Sequence, residues 1–432
     1  MNDRFFWPTT RRHRWLLGII LLIGTALRLW LWWRSPLHQA ANDEVEYVTV
    51  ARDLIAGRGW QFYDAYHWLR APLYPLWLAG SLWLFTDLRL ASLPNIAVSS
   101  ATIYLFYLLG RELGGRKNTA EPLAIQSAEQ VGLLSAASAA LLLTLATFAS
   151  LWMSETLFTA LFVGALLALL RCATQPRIWL ACGAGILLGL AILTRSLPLP
   201  LLPLAALWLI GNVYRHRRGD AQMQQSGWRS GLLYGIAFGL SCVLTIVPWT
   251  IRNYLTYGEV ITVETGLSYN LWAFNEPHED VDTIFKTLEA IRNPAERADY
   301  ATSKGVARLR EDPAIVLRKL WPNWTALWMI KPIEDRFLQP TYYQDVPVHM
   351  FVTALVLDDA LYVGLVVPGL WGLLCAPIDR RKVLLAGWCG YVVAVVLFTH
   401  GEPRYRHFMF PALLPYAAQQ LVLLRRCRTW RI

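Results

Sequence analysis

Ten apolar runs, each close to the ~20 residues of helix that cross a bilayer core, constrain this chain more than any other feature. They lie at about 15–33, 89–110, 131–152, 155–170, 178–194, 197–213, 231–250, 357–376, 383–399 and 407–424. Inside lipid every backbone amide must be satisfied by the protein itself, so runs of this length read as helices. The chain is also short of polar surface: 16% of its residues are charged, against about 25% in a soluble domain. Twenty-one Trp and eighteen Tyr suit a protein with two membrane interfaces to anchor. The first run follows Arg11, Arg12, His13 and Arg14 and ends at Trp32-Trp33-Arg34. A cleaved leader would have an apolar core of about 7–15 residues and a small-residue cleavage site, so an uncleaved first span is expected.

The charges between the runs give an orientation. Arg111, Arg116 and Lys117; Arg171 and Arg177; Arg215, Arg217, Arg218 and Arg229; Arg380, Arg381 and Lys382; and Arg425, Arg426, Arg428 and Arg431 all fall on one side of a ten-span scheme. The positive-inside rule makes that side cytoplasmic, together with the N-terminus. It holds 20 Lys and Arg against 6 Asp and Glu, while the remaining 20 basic residues face 24 acids. The net charge of +10 is therefore a topology signal, and no nucleic-acid partner is expected.

The expected architecture is an all-α polytopic membrane protein. About ten transmembrane helices are joined by interfacial helices in a first outer loop and by a small, mostly helical outer loop domain. Residues 1–250 would form an N-terminal transmembrane core carrying the first outer loop (34–88), residues 251–350 a large extracytoplasmic loop, and 351–432 the C-terminal transmembrane helices. The apolar stretch from Pro72 to Phe85 is short and begins at a proline. It reads as a helix in or dipping into the outer interface. All six cysteines fall in spans or cytoplasmic segments, away from the compartment where disulfides persist, so none is expected. Asn323-Trp324-Thr325 matches a glycosylation sequon, a weak three-residue signal.

Charged groups inside a bilayer are costly and usually functional, and here they gather at the outer ends of the spans. The sharpest local signal is Asn42-Asp43-Glu44-Val45-Glu46-Tyr47. It opens a helix with apolar residues at 45, 48, 51 and 55, and Gly57 is placed to end it. Asp43 is also placed to cap that helix, with Glu46 as its capping-box partner; a helix N-terminus keeps acids ionised, so both roles are compatible. Arg70, ahead of Tyr74, could grip a phosphate through its planar fork, or simply snorkel. Glu155 and Arg195 stand at span ends as functional groups or as boundary anchors. Arg252-Asn253 closes the seventh span, and Asn270 lies among aromatic residues suited to stacking on a sugar. Glu402-Pro403-Arg404-Tyr405-Arg406, flanked by His400 and His407, suits an anion site or a set of anchors.

Taken in order, Asp43-Glu44 with Tyr47, Arg70-Ala71-Pro72-Leu73-Tyr74-Pro75, Ser154-Glu155, Leu193-Thr194-Arg195, Pro248-Trp249 with Arg252-Asn253, Asn270-Leu271-Trp272 and Glu402-Pro403-Arg404-Tyr405 resemble glycosyltransferase family 39. That group includes bacterial relatives of the protein O-mannosyltransferases and the aminoarabinose transferase of lipid A. The resemblance runs from about residue 15 to 424 through short motifs whose order is the specific part. It implies a C-type membrane glycosyltransferase fold, interfacial helices in the first outer loop, and a polyprenyl- or dolichyl-phosphate sugar donor used at the extracytoplasmic leaflet. It also implies an acid in the first outer loop, where Asp43 matches and Glu44 is the paired acid. Relatives carry Lys-Pro-Pro or His-Pro-Pro where this chain has Arg70-Ala71-Pro72, so phosphate contact by Arg70 is an inference.

The expected reaction is inverting transfer of a sugar from a polyprenyl-phosphate donor to an acceptor hydroxyl on a glycan, lipid or protein. The expected location is a multi-pass cell membrane, by preference a bacterial inner membrane, with the site facing the periplasm. Asp43 would be the general base. Arg404, Arg406 and either Arg252 or Arg70 would stabilise the leaving phosphate, while Glu44 and Glu155 would orient hydroxyls. A divalent cation is left open, since acids dispersed in sequence do not establish one. The alternative is a transporter or flippase of lipid-linked sugars, but the internal repeats and midplane polar groups of transporters are not evident.

Overall fold

The structure is a computed structural model that describes residues 7–35, 43–114, 122–218, 227–330 and 346–429. The described residues form eighteen α-helices linked by turns and short 3-10 segments, with no strand among them. Helix α1 (Arg11–Arg34) leads to a first loop built from α2 (Asp43–Ile55), α3 (Gln61–Ala65) and α4 (Leu73–Phe85). Then come α5 (Leu93–Gly114), α6 (Pro122–Leu141), the short α7 (Leu143–Thr147), α8 (Glu155–Thr174), α9 (Ile178–Thr194), α10 (Leu202–Arg218) and α11 (Gly227–Tyr257). A second loop holds α12 (Gly266–Ala273), α13 (Val281–Glu289), α14 (Pro294–Glu311) and α15 (Ala314–Trp328), and α16 (Val348–Cys375), α17 (Arg380–Phe398) and α18 (Phe410–Thr429) complete the chain.

Six of these are long and apolar enough to cross a bilayer: α1, α5 with its preceding turn, α8, α11, α16 and α17. The chain is thus a multi-pass membrane protein. Helices α6, α9, α10 and α18 stand in the places of the other four expected spans. The 17 residues of α9 and of α10 cover about 26 Å at 1.5 Å per residue, against a core of ~30 Å, so the count of ten is not fixed by length. Stripes of exposed Leu and Val, among them Leu233, Leu240 and Leu244 on α11 and Val356, Val367 and Leu374 on α16, are tolerable on a surface that faces lipid. Inside the bundle α9 packs closely on α11, where a Cβ at Gly185 would collide with the Phe238 carbonyl. Small residues at such crossings let helices approach in lipid.

The structure departs from the sequence pattern in two places. The expected third span, 131–152, is not one helix: α6 ends at Leu141, and Leu142 leaves the helical region before α7. The cause is long-range. Arg28 of α1 is wholly buried; it donates to Ala139 O (3.0 Å), Ala140 O (3.2 Å) and Ser99 Oγ (2.7 Å). Asp358 of α16 accepts from Leu143 N at 3.0 Å. These side chains satisfy the backbone groups that the break releases, as irregular backbone at membrane depth requires.

The face of α2 also differs from the apolar spacing. Val45 and Ile55 are exposed, while Glu44, Glu46, Tyr47, Val48 and Ala51 are buried. Buried polar groups persist where they are paired or hydrogen-bonded: Glu46 pairs with Arg70, and Glu44 accepts from Trp152 N. Gly57 does end this helix, in the left-handed region at φ 73°. Helix α4 is as short as the sequence reading expects: 13 residues, or about 20 Å, against a ~30 Å core.

The two loops dock on each other at one end of the bundle. Thr265 N donates to Leu69 O and Leu69 N to Thr265 Oγ1, each at 2.9 Å. Gly266 lies so close to the Trp68 ring that a Cβ would clash. Arg297 of α14, buried, donates to Leu288 O (2.8 Å) and Ile291 O (2.6 Å) in its own loop. It also reaches Asp64 O (3.0 Å) and Tyr66 O in the first loop.

Candidate active site

The docked loops hold a chain of alternating charges. Helix α2 places Asp43 and Glu46 three residues apart, hence on one face. Arg70, just ahead of α4, reaches both: its Nη2 lies 3.0 Å from Asp43 Oδ1 and 2.8 Å from Glu46 Oε1, and its Nε pairs with Glu46 Oε2. Behind Glu46 the Tyr66 hydroxyl donates to the same carboxylate. On the other side Arg404 Nη1 reaches Asp43 Oδ2 at 2.9 Å, and Arg404 Nε pairs with Glu402. His400 Nε2 is 3.1 Å from Glu402 Oε1 and 2.8 Å from the Tyr405 hydroxyl, and its ring stacks on Phe274 at 3.7 Å.

A second strand of the network comes from α8 and α9. Arg195, where α9 ends, donates to Glu155 Oε1 at 2.6 Å and to Ser154 Oγ at 2.9 Å. The Tyr47 hydroxyl, one turn along α2 from Asp43, also donates to Ser154 Oγ, at 3.3 Å. Side-chain exposure grades outward: Glu46 and Arg70 keep 7% and 9%, Asp43 16%, Arg404 24% and Glu402 35%. The Asp43–Arg404–Glu402 edge is therefore the side open to a ligand.

The electrostatics separate the two acids of α2. Burial works against the charge of Asp43, but Arg70, Arg404 and Arg195 overcome it and hold the carboxyl well below its usual range. Burial pushes Glu46 up to about 7; Asp43 adds to the rise, and Arg70 and the Tyr66 hydroxyl limit it. Burial opposes the charge of Glu402 too, yet His400 and Arg404 bring it below the usual range. Among the described residues no three His, Cys, Asp or Glu side chains gather as metal ligands. The carboxylates of the cluster are met by arginines instead.

Of the residues singled out from sequence, the structure brings together Asp43, Arg70, Glu155, Arg195, Glu402, Arg404 and Tyr405. Glu44 points elsewhere: it is wholly buried and its Oε1 accepts from Trp152 N at 2.9 Å, bracing the entry to α8. Tyr74 is buried, edge-on to Tyr47 at 4.9 Å, and its hydroxyl accepts from Asn95. Arg252 belongs to a neighbouring group with the Tyr257 hydroxyl (2.6 Å) and Asp64 (3.8 Å). Asn253 is buried and donates to Ile261 O, fixing the turn after α11. Asn270 sits half-buried on α12, between Tyr269, which stacks on Trp68, and Phe274. Arg406, buried, turns away to Met329 O and lies over the Tyr362 ring at 3.8 Å.

Sequence reasoning missed Glu46 and Tyr66 as members of the site, although the spacing of Glu46 from Asp43 was the available signal. The sequon asparagine is structural: buried Asn323 donates to Leu397 O at 3.0 Å and accepts from Gly401 N at 3.0 Å, tying α15 to the segment ahead of Glu402.

By sequence, the chain matches no family description and no curated protein. Similar solved structures include the S. cerevisiae protein O-mannosyltransferase Pmt1–Pmt2 complex bound to the sugar donor, at 15% identity and a TM-score of 0.45, over 65% of this chain. The chain spans 38% of the length of that protein. ArnT from Cupriavidus metallidurans bound to undecaprenyl phosphate is similar at 16% identity and a TM-score of 0.37, over 93% of this chain and 77% of its own.

Proposed function

We propose that the chain is a membrane glycosyltransferase that moves a sugar from a polyprenyl-phosphate donor to an acceptor hydroxyl, at the extracytoplasmic face. The observation that carries this reading is Asp43, seated between Arg70 and Arg404 at an open edge, in the position where the sequence resemblance expects the first-loop acid. The acceptor oxygen attacks the anomeric carbon as the bond from that carbon to the phosphate oxygen breaks. The electron pair leaves with the phosphate, and the hydroxyl proton passes to Asp43. A carboxylate so well paired is a weak base at rest. It nevertheless orients the hydroxyl from the start, and it receives the proton late, when bonding to an electron-poor anomeric carbon has made that hydroxyl strongly acidic. Arg404, at the open edge beside Asp43, would meet the negative charge that grows on the leaving phosphate, and a guanidinium so used favours the transition state over the ground state. The excess of basic residues in the opposite loops supports the extracytoplasmic placement.

The test is turnover of a panel of synthetic polyprenyl-phosphate sugars by the purified protein, with envelope glycan, lipid A and peptide acceptors. Release of polyprenyl phosphate with the sugar recovered on an acceptor supports the reading. Movement of intact donor across proteoliposomes, with no bond broken, would replace it with a flippase.

A further inference from the structure

We propose that Glu46 is a positioning residue of this site that acts through Arg70: its charge state sets how much of that arginine is left to Asp43. The inference rests on the glycosyltransferase reading for its catalytic consequence, though not for the titration itself.

The geometry is that of one guanidinium shared by two acids. Glu46 takes Arg70 side-on through Nε and Nη2, while Asp43 takes Nη2 alone at 3.0 Å. Glu46 lies deeper than Asp43, 7% against 16% exposed; the two carboxylates repel each other directly, and the arginine they share is the contact through which Glu46 reaches the site. With Glu46 ionised, the fork is held on Glu46 and its charge is divided between the two acids. With Glu46 protonated, Arg70 answers to Asp43 alone, and Asp43, already paired with Arg404, becomes a poorer proton acceptor. The groups that face Glu46 are few. Its own helix offers Asp43, and the first loop offers Arg70, Tyr66 and Tyr63; Arg404 and Arg195 act through Asp43, and His67, Tyr47 and Glu264 lie one neighbour further out, beside Arg70 or Tyr63. His67 is buried and held down at about 3, so it stays neutral. The tyrosines Tyr63 and Tyr66 are raised by burial and stay protonated. Glu46 itself is pushed up to about 7, which leaves it as the group that changes charge near neutrality.

The experiment measures kcat against pH, from about 5.5 to about 9, for the wild type, Glu46→Gln and Tyr66→Phe, with a polyprenyl-phosphate sugar as donor. It also follows the protonated-carboxyl infrared band of each protein without donor. The wild-type rate should rise with pH through an apparent pKa near 7, as a carboxyl band is lost over the same range. Glu46→Gln, a mimic of the protonated form, should lose both the band and the acid limb, running flat and roughly tenfold below wild type at high pH. Tyr66→Phe removes a donor that favours the ionised carboxylate, so its limb should move to higher pH; this variant serves if Glu46→Gln does not accumulate. A wild-type acid limb preserved in Glu46→Gln, an unmoved limb in Tyr66→Phe, or no carboxyl band titrating near neutrality would overturn the proposal. Failure of the wild type to transfer sugar from any donor, with the band still titrating and still lost in Glu46→Gln, would count against the glycosyltransferase reading and leave the assignment of the titrating group standing.

Discussion

Arg404 Nη1 lies 2.9 Å from Asp43 Oδ2, although 361 positions separate the two residues in the chain. The pair joins the first helix after α1 to the last turn before α18, so the candidate site exists only once these early and late segments have come together. Each partner has a second counter-ion, Arg70 for Asp43 and Glu402 for Arg404, which keeps the cluster ordered when one link is cut.

That redundancy shapes what Asp43→Asn should do. Asn keeps the size of the residue but removes the proton acceptor, so transfer should fall by at least about a hundredfold. Breaking a buried pair outright costs ~3–5 kcal/mol; with Glu46 and Glu402 still in place, about 1–2 kcal/mol is expected. The charge of Asp43 stabilises the fold above the unfolded carboxyl pKa of about 3.9, and this contribution fades as pH falls toward its depressed folded value. The wild type should therefore lose its advantage over Asp43→Asn in detergent melting below about pH 4. Equal transfer by both proteins at neutral pH would move the base elsewhere.

The neighbours Arg404 and Arg406 should separate. Arg404→Lys keeps a charge but cannot span Asp43 and Glu402 with a planar fork, so turnover should drop by about tenfold, roughly 1.4 kcal/mol of barrier. Arg406 meets a backbone carbonyl and the face of Tyr362, away from Asp43. Arg406→Lys should leave turnover within about twofold of wild type and act on stability instead, by about 1 kcal/mol. The reverse pattern would place the phosphate at Arg406.

The sequence marked the elements better than their faces. Gly57, the short helix after Pro72 and the charged ends of the spans were legible because each follows from local chemistry: a left-handed glycine, too few apolar residues, a charge too costly in lipid. The choice between Glu44 and Glu46 was not legible. Both are buried, and only the packing of α2 against α4 and the entry to α8 decides which one meets Arg70. The broken third span was hidden for a similar reason: its carbonyls are claimed by Arg28, more than a hundred positions away. Arg406 could not be told from Arg404 because a 3-10 turn at 403–409 sends adjacent side chains in different directions.

Sidedness has its own test. Reporter domains active only outside the cytoplasm should score positive when fused after residue 60 or residue 300 and negative after 117, 222 or 381, as the basic loops require. A positive at 117 would mean that α4 crosses the membrane despite its 13 residues, and the site would then need a new orientation.

Arg297 should govern whether the second loop stays docked. Its guanidinium is buried and divided among backbone carbonyls of both loops, so it joins them without a carboxylate. The carbonyl of Tyr66 is one of its acceptors, and the Tyr66 hydroxyl grips Glu46, which links the clamp to the acid pair two steps away. A lysine has one compact head and cannot serve carbonyls on both sides. Arg297→Lys should therefore cost about 2–4 kcal/mol and speed limited proteolysis between residues 257 and 330. Transfer should fall with it, because Tyr66 is no longer held. Arg308 is the control on the same helix. It is half-buried and pairs at 2.9 Å with Glu311, which is 65% exposed; such a pair contributes about 0–1 kcal/mol, so Arg308→Lys should leave cleavage and transfer unchanged. Equal protection of the second loop in both variants would show that the other contacts, Leu69 with Thr265 and Trp68 with Gly266 and Tyr269, hold the loops together without Arg297.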